Sequence, residues 1–113
     1  MLPFVSEYDI AGVIELKIVI SETAFRWFQE EMGLKTGDKV KFYTQIYGSS
    51  PVQKGFALGF ARDNSPINPA VYVEKDGIGF YVEESDAWFF DGHDLHVDYN
   101  RNRDELEYQY IKE

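Results

Sequence analysis

The period of apolar and polar positions changes several times along the chain, and each change marks an element. Between residues 22 and 32, Ala24, Phe25, Phe28 and Met32 recur at helical spacing. Trp27 sits on the flank of this stripe, and Arg26, Gln29 and Glu30 lie opposite. Ser21 offers a hydroxyl to a free backbone N–H at the start, and Glu22 suits the positive end of the helix dipole. Gly33 supplies the left-handed stop expected just past the end. These features predict an amphipathic helix over 22–32.

Elsewhere the period is two. Over 39–47, Val40, Phe42, Thr44 and Ile46 alternate with Lys41, Tyr43, Gln45 and Tyr47. Over 55–62, the large Phe56, Leu58 and Phe60 alternate with the small Ala57, Gly59 and Ala61, a face that another segment can approach closely. Residues 70–75 and 78–83 read as strands joined by Asp76-Gly77, the strongest hairpin signal in the chain. A strand at 15–20 precedes the helix. After residue 83 come a short aromatic helix at 85–90, an Asp91-Gly92 turn and a strand. In that strand Leu95, Val97 and Tyr99 point one way, and Asp94, His96 and Asp98 the other. A last strand is expected at 106–111. The pattern predicts an α+β, mainly β domain: one helix capping six or seven mostly antiparallel strands in a sheet or open barrel. Residues 1–16 have weak periodicity and form an N-terminal extension, a candidate added edge strand, ahead of one domain at 17–113.

Composition narrows the function. A chain of 113 residues, 17% of them aromatic, is one domain with a well-filled core. Its formal charge of −9 repels phosphate backbones and anionic lipid, so neither nucleic acid nor membrane is an expected partner. The same charge favours cations and basic protein surfaces, and also simply solubility. Cysteine is absent, which removes disulfides, thiolate nucleophiles and cysteine-ligated metal sites. No apolar run approaches the ~20 residues needed to span a bilayer. Glu7, Asp9 and Glu15 make the first sixteen residues a poor secretory signal, so a cytoplasmic location is expected.

Taken in order, the strand, helix, strand, Gly48-Ser49-Ser50 loop, Asp-Gly hairpin and Phe90-Asp91-Gly92-His93-Asp94-Leu95 segment resemble the HesB-like family. That family includes the A-type iron–sulfur carriers. Ile18-Val19-Ile20-Ser21-Glu22-Thr23-Ala24 resembles its I-x-[IL]-[ST]-x-x-A start. Phe90-Asp91-Gly92-His93-Asp94-Leu95-His96-Val97-Asp98-Tyr99 resembles its L-D-G-x-x-L-x-[FY] segment. The resemblance runs from about Lys17 to Tyr110 and implies a helix-capped β pseudo-barrel. A-type carriers hold iron or a cluster through one cysteine in a G-C-S-G loop and two in a C-terminal C-G-C. Here Ser49 stands in the loop position, and the end of the chain, from Glu107, has nothing comparable. A serine hydroxyl is a hard neutral donor, unsuited to a cluster that needs soft thiolates. The resemblance therefore implies a cysteine-free branch that kept the scaffold and lost the cluster site.

Four groups of residues carry candidate chemistry. His93 and His96, among Asp91, Asp94 and Asp98, have the ligand types for Zn²⁺, Fe²⁺ or Mn²⁺. Three residues apart on a strand they face opposite ways, unless His93 belongs to the turn, and Asp94, His96 and Asp98 also fit an ordinary solvated strand face. Ser49, with Ser50 and Tyr47, lacks a nucleophile elbow and reads better as a loop serine serving the turn. Glu83, Glu84 and Asp86 are carboxylates placed for acid–base or cation chemistry, or else the start of a short helix whose Trp88, Phe89 and Phe90 plug the barrel. Tyr43, Tyr47, Tyr72 and Tyr81 occupy the face opposite the larger aliphatic face of their strands, either as a partner surface or as a second layer under the helix. The expected function is a non-enzymatic binding or adaptor module that has a protein partner and no cofactor. The alternative is a divalent-metal protein, binding iron or zinc through His93, His96, Asp91, Asp94 and Asp98. A homodimer is compatible with either.

Overall fold

The computed structural model describes residues 16–112. Within them the order is β1 (Ile18–Ile20), α1 (Glu22–Met32), β2 (Lys39–Gln45), β3 (Ala57–Arg62), β4 (Pro69–Lys75), β5 (Ile78–Glu83), a 3-10 helix (Glu84–Phe90), β6 (His93–Asn100) and β7 (Glu105–Lys112). The expected edge strand at the N-terminus falls outside the described residues. Leu16, with 2% of its surface exposed, is already part of the core.

The α1 boundaries follow from the chemistry read in the sequence. Ser21 Oγ accepts from Ala24 N–H at 3.1 Å, and Gly33, at φ 61°, donates its N–H to the Gln29 carbonyl. Arg62 reaches back to the Met32 carbonyl, covering an acceptor the helix end leaves free. Ala24, Phe25 and Phe28 are buried. Phe28 is the hub of the core, its ring 5.2 Å from Phe80, 5.3 Å from Phe60 and 6.0 Å from Phe42. Trp27 caps this cluster, stacked on Tyr99 at 6.0 Å.

The strands form two mixed sheets, ordered β1-β6-β7 and β3-β2-β5-β4. The mainly β, α+β class stands. Three of the five strand pairings are antiparallel, as expected, but the single sheet or barrel gives way to two open sheets, in which β1 runs parallel to β6 and β2 parallel to β5. The short aromatic helix expected at 85–90 is present as a 3-10 helix that begins one residue earlier, at Glu84. The physical reason is range. Antiparallel neighbours β4 and β5 are tied by a two-residue turn, with Asp76 and Gly77 at φ 52° and 78°. The parallel β2–β5 pair instead requires a crossover through β3 and β4, which no local signal encodes.

Both sheets contribute to one core, with Ile18, Ile20, Leu95 and Val97 meeting Val40, Phe42, Val71, Val73, Phe80 and Val82. The small face of β3 is approached as its pattern suggested, by side chains of β2. A Cβ on Gly59 would lie 2.2 Å from Gln45 Nε2 and 2.9 Å from the Tyr43 ring. Tyr72 likewise covers Gly79 on β5.

Candidate functional site

Strand polarity gathers the large exposed apolar residues, among the described residues, at one end of the strands. The parallel strands β2 and β5 both finish there, at Gln45 and Glu83, and their antiparallel neighbours β3 and β4 begin there. The 3-10 helix leaves β5 at this end and leads into β6, whose first residue pairs with the last of β7. Thr44 N–H donates to Asp86 at 3.3 Å, Gln53 Nε2 donates to the Trp88 carbonyl at 3.4 Å, and Phe56 packs on Trp88 at 5.2 Å. The 46–56 loop is thereby pinned to the 3-10 helix. Tyr110 of β7 packs on Phe89 at 6.0 Å.

Among the described residues, the large apolar side chains most exposed to solvent are Tyr47 (88%), Ile67 (89%), Ile46 (73%), Trp88 (48%) and Ile111 (42%), and this topology places all five at that end. Single exposed apolar residues are ordinary, but a tryptophan, a tyrosine and three isoleucines at one end make that end the candidate contact region. Two of them escape the sequence pattern for identifiable reasons. Ile46 continues the period of β2, but the strand stops at Gln45 and its side chain leaves the sheet. Trp88 was expected to plug a barrel with Phe89 and Phe90. Those two are buried, whereas the 3-10 repeat turns Trp88 outward.

The carboxylates of the acidic cluster hold this end together. Glu83 accepts the N–H groups of Ile67 and Asn68 at 2.9 and 3.0 Å, and Glu84 accepts from the Asn68 side chain at 2.9 Å. Together they fasten the loop carrying Ile67. Ser49 is exposed in the 46–56 loop, while turn duty falls to Ser50, whose Oγ accepts from Gln53 N–H at 3.1 Å.

The five candidate metal ligands do not converge. Among the described residues, no group of three or more His, Asp or Glu side chains is placed to hold an ion. His93 turns Nδ1 to the carbonyls of Phe90 and Asp91, at 2.9 and 3.0 Å. Asp91 is exposed in the turn, at φ 49°. Asp94 is buried at 7% exposure and accepts from Lys17 N–H at 3.1 Å, so it does not belong to the solvated face it was grouped with. His96 pairs with Val19 and Gln109 across the sheet. Asp98 binds the start of α1, its Oδ1 accepting from Ser21 Oγ at 2.7 Å, Tyr99 N–H at 2.8 Å and Thr23 Oγ1 at 3.2 Å. The Ser21 hydroxyl above all, with the Tyr99 N–H and Thr23, holds the Asp98 carboxyl below its ordinary range against the opposing effect of burial.

The four tyrosines part company as well. Tyr81 is fully buried and donates to the Asp63 carbonyl at 2.8 Å. Burial first, then the charges of Asp63 and Glu83, push its phenol far up. Tyr72 stacks on Tyr81 at 6.3 Å and Tyr43 covers Gly59, which leaves Tyr47 as the one available to a partner.

Fold and surface together define a small, mainly β α+β domain with exposed apolar side chains at one end. The chain belongs to the family of a Bacillus subtilis (strain 168) protein named "Pyruvate dehydrogenase inhibitor". The two are 46% identical over 95 residues, covering 84% of this chain and 99% of that protein. An uncharacterized protein of Staphylococcus saprophyticus is 34% identical over 82% of this chain and 97% of its own length. One from Staphylococcus haemolyticus is 27% identical over 86% and 100%. No family model matches the chain. No helix among the described residues is long and apolar enough to cross a membrane.

Proposed function

We propose that this chain is a non-enzymatic, cytoplasmic protein that inhibits pyruvate dehydrogenase by docking on it through the apolar end. The observation that carries the proposal is the 46% identity, over 84% of this chain and 99% of the relative, to the Bacillus subtilis protein of that name. The surface supports it. Tyr47 and Trp88 are the residue types that dominate binding energy in protein interfaces, and Ile46 adds aliphatic area beside Tyr47. A net charge of −9 favours a partner with a basic rim around its apolar site.

On this view the HesB-like resemblance reflects descent of the scaffold without its metal chemistry. The two places where that family carries cysteine are the loop at Ser49 and the C-terminal stretch. Both lie at the end where this chain presents Tyr47 and Ile111.

The test is the rate of pyruvate dehydrogenase from the same organism, titrated with the purified chain. Saturable inhibition is expected. Tyr47→Ser and Ile46→Ser change solvent-exposed side chains, so they should fold normally and weaken inhibition by about tenfold or more. An enzyme indifferent to the wild-type chain refutes the function. Full inhibition by both variants keeps the function and refutes the docking end.

A further inference from the structure

The edges of the two sheets are not equally protected. β1 has three residues, β4 carries Pro69 and a register shift beside it, and β3 has Gly59 in its middle. β7 differs from all three. It has eight residues without proline or bulge, stays in unbroken register with β6, and pairs with no other strand among the described residues. Its core-facing row, Leu106, Tyr108 and Tyr110, is only partly buried in the single chain, although all three pack against the core.

We infer that β7 is a self-pairing edge. Two copies join antiparallel about a two-fold axis at Tyr108, so that β1-β6-β7 continues into a second β7-β6-β1. A two-fold perpendicular to the sheet keeps the core-facing row of one strand beside that of the other, which restricts the allowed registers to steps of two residues. Centring on Tyr108 sets Leu106 opposite Tyr110 and Tyr108 opposite itself, an aliphatic and aromatic row without charge. On the outer face it sets Glu107 opposite Gln109 and Glu105 opposite Ile111. Moving the centre to Glu107 places two like charges in direct opposition, and moving it to Gln109 sets Leu106 against Lys112. Side-chain chemistry therefore favours this register over those on either side of it. The surface lies along a sheet edge, so the inference stands whether or not the apolar end docks on pyruvate dehydrogenase.

Absence of cysteine makes the register directly readable. Glu107→Cys and Gln109→Cys place thiols on the outer face, and the proposed pairing brings residue 107 of one copy opposite residue 109 of the other. Under mild oxidation a mixture of the two single variants should give a disulfide-linked heterodimer, and either variant alone should give far less. Light scattering on the full chain should report a dimer in the micromolar range. Gln109→Glu opposes two like-charged pairs per dimer and Gln109→Lys two opposite ones, so they should move the dimer dissociation constant several-fold in opposite directions. Residue 109 is exposed, so neither change threatens folding. A monomer into the high-micromolar range overturns the inference. So does a dimer whose dissociation constant the two charge variants leave unmoved, or one in which single-variant cross-links match the mixed one.

Discussion

Asp98 shows how a side chain that reads as chemistry can serve the fold. One of its oxygens takes three hydrogen bonds, two of them from the helix start at Ser21 and Thr23. Replacing it with alanine should cost about 1 kcal/mol, the usual value of such contacts at a partly solvated site. The effect should fade in acid. The folded-state pKa of Asp98 lies below the unfolded value of about 3.9, so its contribution is present above that pH and disappears as pH falls through the lowered folded value. Asp38, held down first by the Lys35 N–H and then by Asn64, follows the same sign, as does Asp63, held by the Ser65 N–H and Lys41. Thermal melts should show wild type losing stability below about pH 4, with the gap between wild type and Asp98→Ala narrowing over the same range.

At the scale of elements, what could be read in the sequence was what is local. Ser21, the stripe of Ala24, Phe25 and Phe28, and Gly33 are all within one or two turns of α1, and each occupies the expected place. The Asp76-Gly77 hairpin joins neighbours in the chain in the same way. Two glycines separate backbone conformation from crowding. Gly33 has φ 61° and open space where a Cβ would go, so Gly33→Ala should cost about 1 kcal/mol from the backbone alone. Gly77 has φ 78°, and a Cβ there would meet Thr36 Cγ2 at 2.5 Å, so Gly77→Ala should cost clearly more. Urea denaturation of the two variants gives the comparison. The candidate site was less legible. Ile46 and Trp88 each obey a hydrophobic pattern, and only the point where β2 ends and the pitch of the 3-10 helix turn them to solvent.

For the whole molecule, the two candidate functions predict different responses to metal. His93 and Asp98 each already have protein partners, and the five candidate ligands are spread over a turn, a buried position and a solvated strand face. Added Zn²⁺ or Fe²⁺ should therefore leave the melting temperature unchanged, where a ligand binding only the folded state would raise it. A rise abolished by the His93→Ala, His96→Ala pair would restore the metal alternative.

By itself the sequence determined the helix and both its ends, the Asp-Gly hairpin, the apolar rows of the core and the mainly β class. Each depends on residues a few positions apart, whose spacing matches the helical or strand repeat. Tertiary structure alone decided that β2 runs parallel to β5 and β1 to β6, that Asp94 is buried, that the acidic side chains tie down loops and that five scattered apolar residues share one end. Those outcomes come from pairing between segments distant in the chain, which is selected by the fit of the whole core and leaves no periodic trace in any one stretch of it.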